Sequence, residues 1–585
     1  MILQALAGYY DRLAESGKLQ RPGWQKAKVS YALELGLDGS LRHVLPLLIE
    51  VTRGKKKALA PQELNAPSPE KRSVGIVSNF LCDNATYMLG LDAKGKPERA
   101  VKCFEACKAL HLDLLSDVDC PEAQAIVRFF EGWDPLTAPE NPVLHPYLAE
   151  LVSGVNLILS VDGRYAQDIP EIQAAWDRCY ASRAGGEVMR CLVTGEAVPA
   201  ARLHPSIKGV AGGQATGTSL VSFNAPAYES FGRDGGQGMN APVGERAAFA
   251  YGAALNYMIA EPKHHMRLSD TTVVFWADSG EDAYAEACCA MLGEDAGLDE
   301  KDMYDMLRSL ANGLKTAWST SELNPEERFY ILGVAPNAGR LSVRFFLQNT
   351  FGAFARNLYA HQQRLEIVKP GFDTRASLSF WQLLNETVNK KSRDKTPSPL
   401  LSGALVRAVL TGAPYPMLLL DQTELRIRAE QEVTRGRAAI IKAFMLRNTK
   451  DSDRFANYEE ALSVQLNENT TYLPYLLGRL FSVLEALQQA ANPGITATTR
   501  DRYFNSACAT PAVVFPQLIK LAQAHLKKLG SGGEVYYSKQ IGEIVSKINA
   551  TYPPRLDLYD QGIFQLGYYH QVQARFTKKE EKENV

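Results

Sequence analysis

The sequence has no long hydrophobic run and no recognisable export signal. None of its apolar stretches approaches the roughly 20 residues that a membrane-spanning helix requires. Near the start of the chain, Leu3, Leu6, Tyr10 and Leu13 recur at helical spacing, which predicts an amphipathic helix rather than a signal peptide. We therefore expect a cytoplasmic protein that does not contact a membrane.

Paired cysteine motifs are also missing. The nine cysteines are scattered, and none forms a CxxC pair. Cys103 and Cys107 share the spacing of one helix face, and Cys288 and Cys289 are adjacent, but no matching His or Cys pair occurs elsewhere. A structural zinc site needs four such ligands. The pattern indicates buried, reduced thiols, and we predict no metal and no other cofactor.

Sequence motifs for catalysis are equally scarce. The chain has no HExxH, no GxSxG and no His-Asp pair typical of metal-dependent nucleases. Asp117 and Asp119 form a carboxylate pair, which a charged loop explains. A site assembled from distant residues would leave no motif, but the absence of these patterns favours a protein that is not an enzyme.

The chain also lacks an excess of either charge. Its 64 basic and 65 acidic side chains give a net charge of −1, whereas a protein that coats nucleic acid alone is usually basic. Contact with nucleic acid must therefore use local patches, with other subunits supplying most of the positive charge. The length of 585 residues predicts several domains.

The periodicity predicts an α+β fold with mixed N-terminal and central regions and a helical C-terminal region. We place an N-terminal α+β domain at 1–200, a central region at 201–389 and a small-subunit-like helical bundle at 400–585. In the central region, predicted strands at 271–277, 329–335 and 340–348 alternate with helices in the order of a ferredoxin-like unit. One C-terminal helix is predicted at 423–448.

Residues 202–246 form the most distinctive stretch. Nine glycines lie between Lys208 and Glu245, among short amides and hydroxyls such as Gln214 and Thr216. Glycine lets a backbone approach a ligand closely, and such a surface is suited to gripping phosphates and reading base edges. A long flexible loop on an unrelated scaffold is the alternative. The segment SLVSF at 219–223 predicts a short strand that orders the loop.

A second polar stretch, residues 71–92, begins with two bases and continues with Asn79 and Asn84. Asparagine pairs with adenine in the major groove and accepts from guanine in the minor groove. Helix capping or an Asx-turn is the alternative interpretation of each asparagine.

Many short segments, which follow one another in the same order along the chain, resemble the large subunit of the type I-C CRISPR Cascade. The segments at 1–6, 21–24, 28–35, 79–84, 130–135, 161–167 and 191–196 read MILQAL, RPGW, KVSYALEL, NFLCDN, FEGWDP, VDGRYAQ and CLVTGE. Further along are LHPSIKGV, LVSFNAPAYESFG, NAPVGE, DTTVVFWA and LGYYHQ. The resemblance runs almost from end to end.

This resemblance implies a non-catalytic scaffold in a crRNA-guided ribonucleoprotein complex for antiviral defence. Such a subunit recognises a protospacer-adjacent motif in duplex DNA, helps to form the R-loop, holds the displaced non-target strand and docks a helicase-nuclease. Its other partners are the crRNA and the Cascade subunits that form the backbone, hold the crRNA end and serve as small subunit. The alternatives are a nucleic-acid-processing nuclease and a purely structural assembly subunit.

The residue roles that follow are hypotheses. The predicted motif-reading residues combine amides with a glycine loop, in which Gln214 is a candidate wedge between base pairs: Asn79, Asn84, Lys208, Gly212, Gly213, Gln214, Thr216 and Asn224. The predicted phosphate and strand contacts are all basic: Lys71, Arg72, Arg164, Arg426, Arg428, Arg435 and Arg437. For each arginine the alternative is a surface ion pair.

Overall fold

The chain forms two compact units, each built from separate stretches of sequence. The computed structural model describes residues 1–53, 56–69, 75–92, 95–182, 187–223, 238–292, 300–393, 395–549 and 551–583. The first unit comprises Met1–Pro205 and Ser222–Ala254, and the second comprises Ser206–Val221 and Leu255–Val585. The α+β class is confirmed.

The first unit is a mixture of small sheets and helices. Its helices are α1 (Ile2–Glu15), α2 (Ala85–Met88), α3 (Pro97–Leu115), α4 (Pro121–Gly132), α5 (Leu148–Leu151) and α6 (Pro170–Ser182). Its strands are β1 (Trp24–Val29), β2 (Tyr31–Leu35), β3 (Leu41–Pro46), β4 (Leu48–Arg53), β5 (Lys56–Pro67), β6 (Cys82–Asn84), β7 (Asn156–Val161), β8 (Arg164–Tyr165), β9 (Val188–Arg190) and β10 (Ala197–Pro199).

Strand β2 lies at the centre of this unit because its side chains are buried along its whole length. It pairs in parallel with β7 and antiparallel with β3, in the sheet order β3-β2-β7-β6, and β8 pairs with β7. Strands β1, β5 and β4 form a second sheet. Helices α3, α4 and α6 contribute to one hydrophobic core, where the rings of Phe80 and Trp176 stack with centroids 5.4 Å apart. The predicted first helix is confirmed as α1.

Helix α7 (Glu245–Ala260) begins in the first unit and ends in the second. The strands of the second unit are β11 (Ser206–Ile207), β12 (Thr218–Ser219), β13 (His265–Leu268), β14 (Thr271–Ala277), β15 (Thr316–Trp318), β16 (Ser321–Leu323), β17 (Arg328–Asn337) and β18 (Arg340–Thr350). Its helices are α8 (Asp282–Leu292), α9 (Glu300–Ala311), α10 (Phe351–Leu365), α11 (Phe380–Asn385), α12 (Pro399–Thr411), α13 (Met417–Glu430), α14 (Arg435–Asn448), α15 (Phe455–Tyr458), α16 (Leu473–Ala491), α17 (Thr499–Ala509), α18 (Pro511–Leu526), α19 (Ser531–Val545) and α20 (Leu558–Glu583).

The central sheet of the second unit has the strand order β11-β12-β18-β17-β14-β13. The strands predicted at 271–277, 329–335 and 340–348 are present as β14, β17 and β18. Their order is not ferredoxin-like, because β14 pairs directly and antiparallel with β17. A ferredoxin-like unit would place β18 between them. This part of the prediction is corrected.

The central sheet and the C-terminal helices share a single hydrophobic core. The core runs from Phe275 and Ile331 on the sheet to Leu480 and Phe564 in the bundle. The predicted boundary in the polar segment at 390–399 therefore does not coincide with a division of the core. Within the described ranges, no helix is both long and apolar enough to cross a membrane.

Helices α16 and α20 cross with their backbones in close approach. A Cβ atom at Gly478 of α16 would collide with the carbonyl of Phe564 on α20. The same holds in reverse, because a Cβ at Gly567 of α20 would collide with the carbonyl of Tyr475. Only glycine allows this helix spacing, so both positions exclude a side chain.

The substitution Gly478→Ala should lower the free energy of unfolding by about 3 kcal/mol or more, because rigid backbone surrounds the added methyl group. Gly403 in α12 is the matched control, since a Cβ there would have no heavy atom within 4 Å. We expect Gly403→Ala to be neutral or to stabilise by up to about 1 kcal/mol through helix propensity. Urea unfolding of both variants measures the difference, and equal stabilities would contradict the close crossing.

Candidate nucleic-acid interface

The glycine-rich loop at residues 208–217 connects β11 to β12 in the second unit. The two strands pair Ser206 with Ser219 and Ile207 with Thr218, and the side chains of Ile207 and Thr218 are buried. Strand β12 also pairs with β18, where the amide of Ser219 donates to the carbonyl of Gly339 at 3.0 Å. The loop therefore leaves the sheet next to the β17–β18 turn. The strand predicted at 219–223 is shorter and earlier, since β12 ends at Ser219.

Side chains from two neighbouring elements hold the loop backbone. Asn256 of α7 accepts from the amide of Lys208 at 2.8 Å and donates to the carbonyl of Ser206 at 3.1 Å. The hydroxyl of Thr272 on β14 accepts from the amide of Ala211 at 3.2 Å. These contacts hold the loop backbone in place, and a fixed loop loses less entropy on binding.

Two tight turns shape the loop. The amide of Gly213 donates to the carbonyl of Val210, and the amide of Gly217 donates to the carbonyl of Gln214, both at 2.9 Å. Gly217 has a φ of +100°, and a Cβ there would lie 2.8 Å from the Cβ of Ser206. Glycine is therefore required where the loop returns to the sheet.

The loop presents polar groups to solvent along its length. Lys208, Gly212, Gln214 and Thr216 are exposed, and Gly213 is half-buried. The side chains of Lys208, Gln214 and Thr216 form no hydrogen bond with any residue that the structure describes. The fold thus brings five of the predicted motif-reading residues onto one ordered loop. Asn224 lies outside the described residues.

Asn79 and Asn84 lie at the two ends of a turn in the first unit. The carboxylate of Asp83 holds both ends, because it accepts from the amide of Asn79 at 3.0 Å and from the amide of Asn84 at 2.8 Å. Asp83 is only 2% exposed. The side-chain oxygen of Asn84 caps α2 by accepting from the amide of Thr86 at 3.1 Å, as the capping alternative anticipates. Both asparagines remain half-exposed.

A buried histidine supports this turn from inside. Leu81 has a φ of +57°, and its amide donates to Nε2 of His111 at 3.0 Å. Nδ1 of His111 lies 2.8 Å from the carbonyl of Cys107, so Nδ1 carries the proton and Nε2 is the acceptor. Burial lowers the pKa of His111 to about 4, which keeps the imidazole neutral and able to accept.

The predicted basic contacts have different environments. Lys71 and Arg72 lie outside the described residues. Arg164, next to the β7–β8 turn, is exposed and forms an ion pair with Glu122 at 2.8 Å. Arg428 is exposed and donates to Gln561 at 2.6 Å, whereas Arg426 is half-exposed and has no partner in the described part of the chain.

Arg435 and Arg437 require a correction. Arg435 is 8% exposed and pairs with Asp373 at 3.1 Å, and Arg437 is fully buried between Glu386 and Glu430. Neither guanidinium is accessible to a nucleic-acid strand, so both are structural residues of the core. The helix predicted at 423–448 is also two helices, because Gln431 has a φ of +54° and ends α13, and Thr434 caps α14.

Comparison with known protein families identifies the chain. A family profile described as CRISPR-associated protein (Cas_Csd1) matches residues 6–576. The chain belongs to the Cas_Csd1 family. Membership makes it a CRISPR-associated subunit of a Cascade complex. A comparison with curated proteins gives no significant match.

Several residues that build the site in this Cas_Csd1 protein are absent from the sequence-based prediction. Asp83 and His111 hold the turn, and Asn256 and Thr272 hold the loop, yet none of the four belongs to a sequence motif that marks this role. Only the position of Asp83, one residue before Asn84, offers a local signal. Among the residues that the structure describes, no group of three His, Cys, Asp or Glu side chains is placed to hold a metal ion.

The neutral state of His111 predicts a pH-dependent stability. The pKa of a histidine is about 6.5 when unfolded and about 4 here, so the unfolded state binds the proton first as the pH falls. His111 contributes fully to the free energy of unfolding above pH 6.5. About 3 kcal/mol of this contribution is lost by pH 4. In His111→Gln, the fall in unfolding free energy between these pH values should be smaller by that amount. Urea unfolding measures it, with His145→Gln, an exposed position in the same unit, as control.

Removing Arg437 should destabilise the second unit. Arg437→Met leaves two carboxylates without their buried partner, which costs about 3–5 kcal/mol of unfolding free energy. Arg426→Met, at a half-exposed position of the neighbouring helix α13, should change it by no more than about 0.5 kcal/mol. Thermal or urea unfolding tests both variants. A stable Arg437→Met variant that binds single-stranded DNA more weakly would restore the original strand-binding prediction.

Proposed function

We propose that this Cas_Csd1 protein is the large subunit of a type I-C Cascade and that it recognises the protospacer-adjacent motif in duplex DNA. The ordered loop at residues 208–217 is the observation that carries the proposal. Its backbone is held by Asn256 and Thr272, while its exposed side chains carry amide, hydroxyl and ammonium groups that form no hydrogen bond with any described residue. Such groups on a rigid support are suited to reading a few base pairs.

Each part of the loop has a distinct role in this proposal. Gln214 reads a base edge with its amide, or separates the first base pairs, and Thr216 adds a hydroxyl that both donates and accepts. Gly212 and Gly213 let the backbone approach the duplex without a side chain between them. Lys208 contacts a phosphate. Separating one base step costs a few kcal/mol, which the phosphate contacts offset.

The turn held by Asp83, in the first unit, is proposed separately as a base-reading element. Asn84 uses its oxygen to cap α2, which leaves the amide NH₂ group as the donor for an acceptor on a base. Asn79 is held at the other end of the same turn by its backbone. The pair therefore has a defined spacing, as direct readout requires.

Strand contacts are proposed only for basic residues that are exposed or half-exposed. Arg164 exchanges its ion pair with Glu122 for a phosphate, which its own exposed side chain can reach from solvent. Arg426 and Arg428 hold the displaced non-target strand from α13. Because these contacts are electrostatic, strand binding should weaken as salt concentration rises.

Sequence specificity beyond the motif belongs to the crRNA, and the chain itself breaks no bond. The proposed partners are the crRNA, the target duplex, the other Cascade subunits and a helicase-nuclease that docks on this subunit. The near-neutral net charge fits a protein that packs against other subunits and grips only a short duplex. The helical region at 400–585 takes a role like that of the small subunit of related complexes.

Two variants of the loop test the proposal in the assembled complex. Gln214→Ala should reduce the preference for duplexes with the correct motif by about 1–3 kcal/mol. Lys208→Ala should weaken the binding of all duplexes to the same extent. It should also reduce the steepness of log affinity against log salt concentration by about 1. Gln523→Ala and Lys520→Ala, both exposed on α18, are the matched controls.

Unchanged motif preference in Gln214→Ala, with intact assembly, would refute motif reading by the loop and favour a purely structural subunit. The same samples, incubated with Mg²⁺ and no helicase-nuclease, should leave the duplex intact. Cleavage there would favour the nuclease alternative.

A further inference from the structure

Residues 369–376, in the connection between α10 and α11, form a turn that exposes an aromatic ring. Phe372 is 88% exposed, more than any other large apolar residue that the structure describes. The amide of Asp373 donates to the carbonyl of Pro370 at 2.9 Å, so Phe372 lies at the third position of the turn. A large apolar ring gains free energy when a ligand covers it. The function proposed above does not use this residue.

Buried side chains hold the turn on both sides. Arg435, which is 8% exposed, donates to the carbonyls of residues 375 and 376 at 2.8 and 2.9 Å and to Asp373 at 3.1 Å. Before the turn, the hydroxyl of the buried Tyr569 donates to the carbonyl of Val368 at 2.7 Å. A ligand of Phe372 therefore meets a backbone that is already ordered, which lowers the entropy lost on binding.

The turn also carries a surplus of positive charge. Lys369 and Arg375 are exposed, three residues before and three residues after Phe372. Nζ of Lys369 donates to the carbonyl of Arg375 at 3.2 Å, which holds the ammonium group beside the turn. Asp373 is the only carboxylate of the turn, and it is buried between Arg375 at 2.8 Å and Arg435 at 3.1 Å. The exposed part of the turn thus offers an aromatic ring and two cations.

We propose that Phe372 is a stacking platform for one base of the displaced single strand and that Lys369 and Arg375 contact the phosphates beside that base. The inference rests on the proposed nucleic-acid function of the chain. Sites for single strands combine aromatic rings, on which any base can stack, with cations that follow the backbone. The turn supplies both kinds of group and exposes no carboxylate that would repel a phosphate.

An apolar pocket of a protein partner is the alternative cover for an exposed phenylalanine. The charges beside Phe372 favour the single strand, because phosphates occur on both sides of each base within a strand. A protein pocket would match Lys369 and Arg375 only if carboxylates lined its rim.

Two strands of equal length test the proposal on the full-length chain. One is oligo(dT), and the other is an abasic strand, which keeps the phosphates and lacks the bases. Phe372→Ala should weaken the binding of oligo(dT) about 5- to 150-fold, as expected for the loss of one stacking contact, and leave the abasic strand unaffected. Phe372→Trp should retain the affinity for oligo(dT), because the indole ring also stacks.

Phe576→Ala is the matched control for the loss of an aromatic ring. Phe576 is 51% exposed and has the guanidinium of Arg575 5.2 Å from its ring, but it belongs to α20 and not to the anchored turn. This variant should bind both strands as the unmodified chain does.

Lys369→Ala measures the phosphate contact separately. It should weaken the binding of oligo(dT) and of the abasic strand to the same extent. It should also reduce the steepness of log affinity against log salt concentration by about 0.7, the value expected for one phosphate of a single strand.

Permanganate, which oxidises unstacked thymines, identifies the strand in the assembled complex. On a target with a thymine-rich displaced strand, Phe372→Ala should make one thymine of that strand more reactive than in the unmodified complex. Unchanged reactivity would overturn the displaced strand as the ligand of Phe372.

Unchanged binding of oligo(dT) by folded Phe372→Ala would overturn the stacking platform, and loss of complex assembly in the same variant would assign Phe372 to a protein partner. The Gln214→Ala experiment separates this failure from failure of the motif reader. Lost motif preference in Gln214→Ala with unchanged strand binding in Phe372→Ala rejects the platform alone. The opposite pair of results rejects the loop as motif reader and keeps the platform.

Discussion

The close crossing of α16 and α20 is the constraint on which the second unit depends. Gly478 and Gly567 bring the two backbones together, and buried polar contacts join the helices near the crossing. Tyr475 bonds His570 at 2.8 Å, and Arg479 donates to Gln571 at 2.9 Å. Hydrogen bonds of this kind need exact register, because a shifted helix would leave several polar groups buried and unpaired.

The packing of α16 against α20 supports the glycine-rich loop because both belong to elements that share one hydrophobic core. The sheet that carries the glycine-rich loop packs its apolar face into the same core as the bundle, which includes Phe275 on the sheet and Phe564 on α20. Helix α10, which follows β18 directly, packs on α14. The loop is therefore supported by a long-range hydrophobic core, and its fixed shape is a property of the whole second unit.

Much of the fold follows from local sequence patterns. The amphipathic spacing of α1 and the apolar run of β14 predict both elements, because one buried face or a fully buried strand leaves a periodic signature. Strand order leaves no such signature. The pairing of β14 with β17 joins two strands that are separated in the sequence by helices α8 and α9, and the same order of elements is also compatible with a ferredoxin-like sheet.

In the candidate site, too, some features follow from local sequence and others do not. The glycines and exposed amides of the loop are visible as composition, whereas the residues that hold it, Asn256 and Thr272, come from distant elements. Arg437 illustrates the opposite error. Its positive charge is evident in the sequence, but its burial depends on Glu386, which lies in a separate segment of the chain. The charge of a residue can be read from the sequence alone, whereas its burial depends on residues that are distant in the sequence.

The pairing of Ser219 with Arg340 has a consequence for biosynthesis. During translation, β12 emerges from the ribosome long before β18, the strand against which it docks. Strand β11 is already available to β12, but the edge of β12 that faces β18 stays unpaired while the intervening helices and strands are made. Such non-local closure is slow because the chain loses entropy before the contact forms. The glycine-rich loop is therefore among the later parts of the molecule to mature, and incomplete chains should lack it.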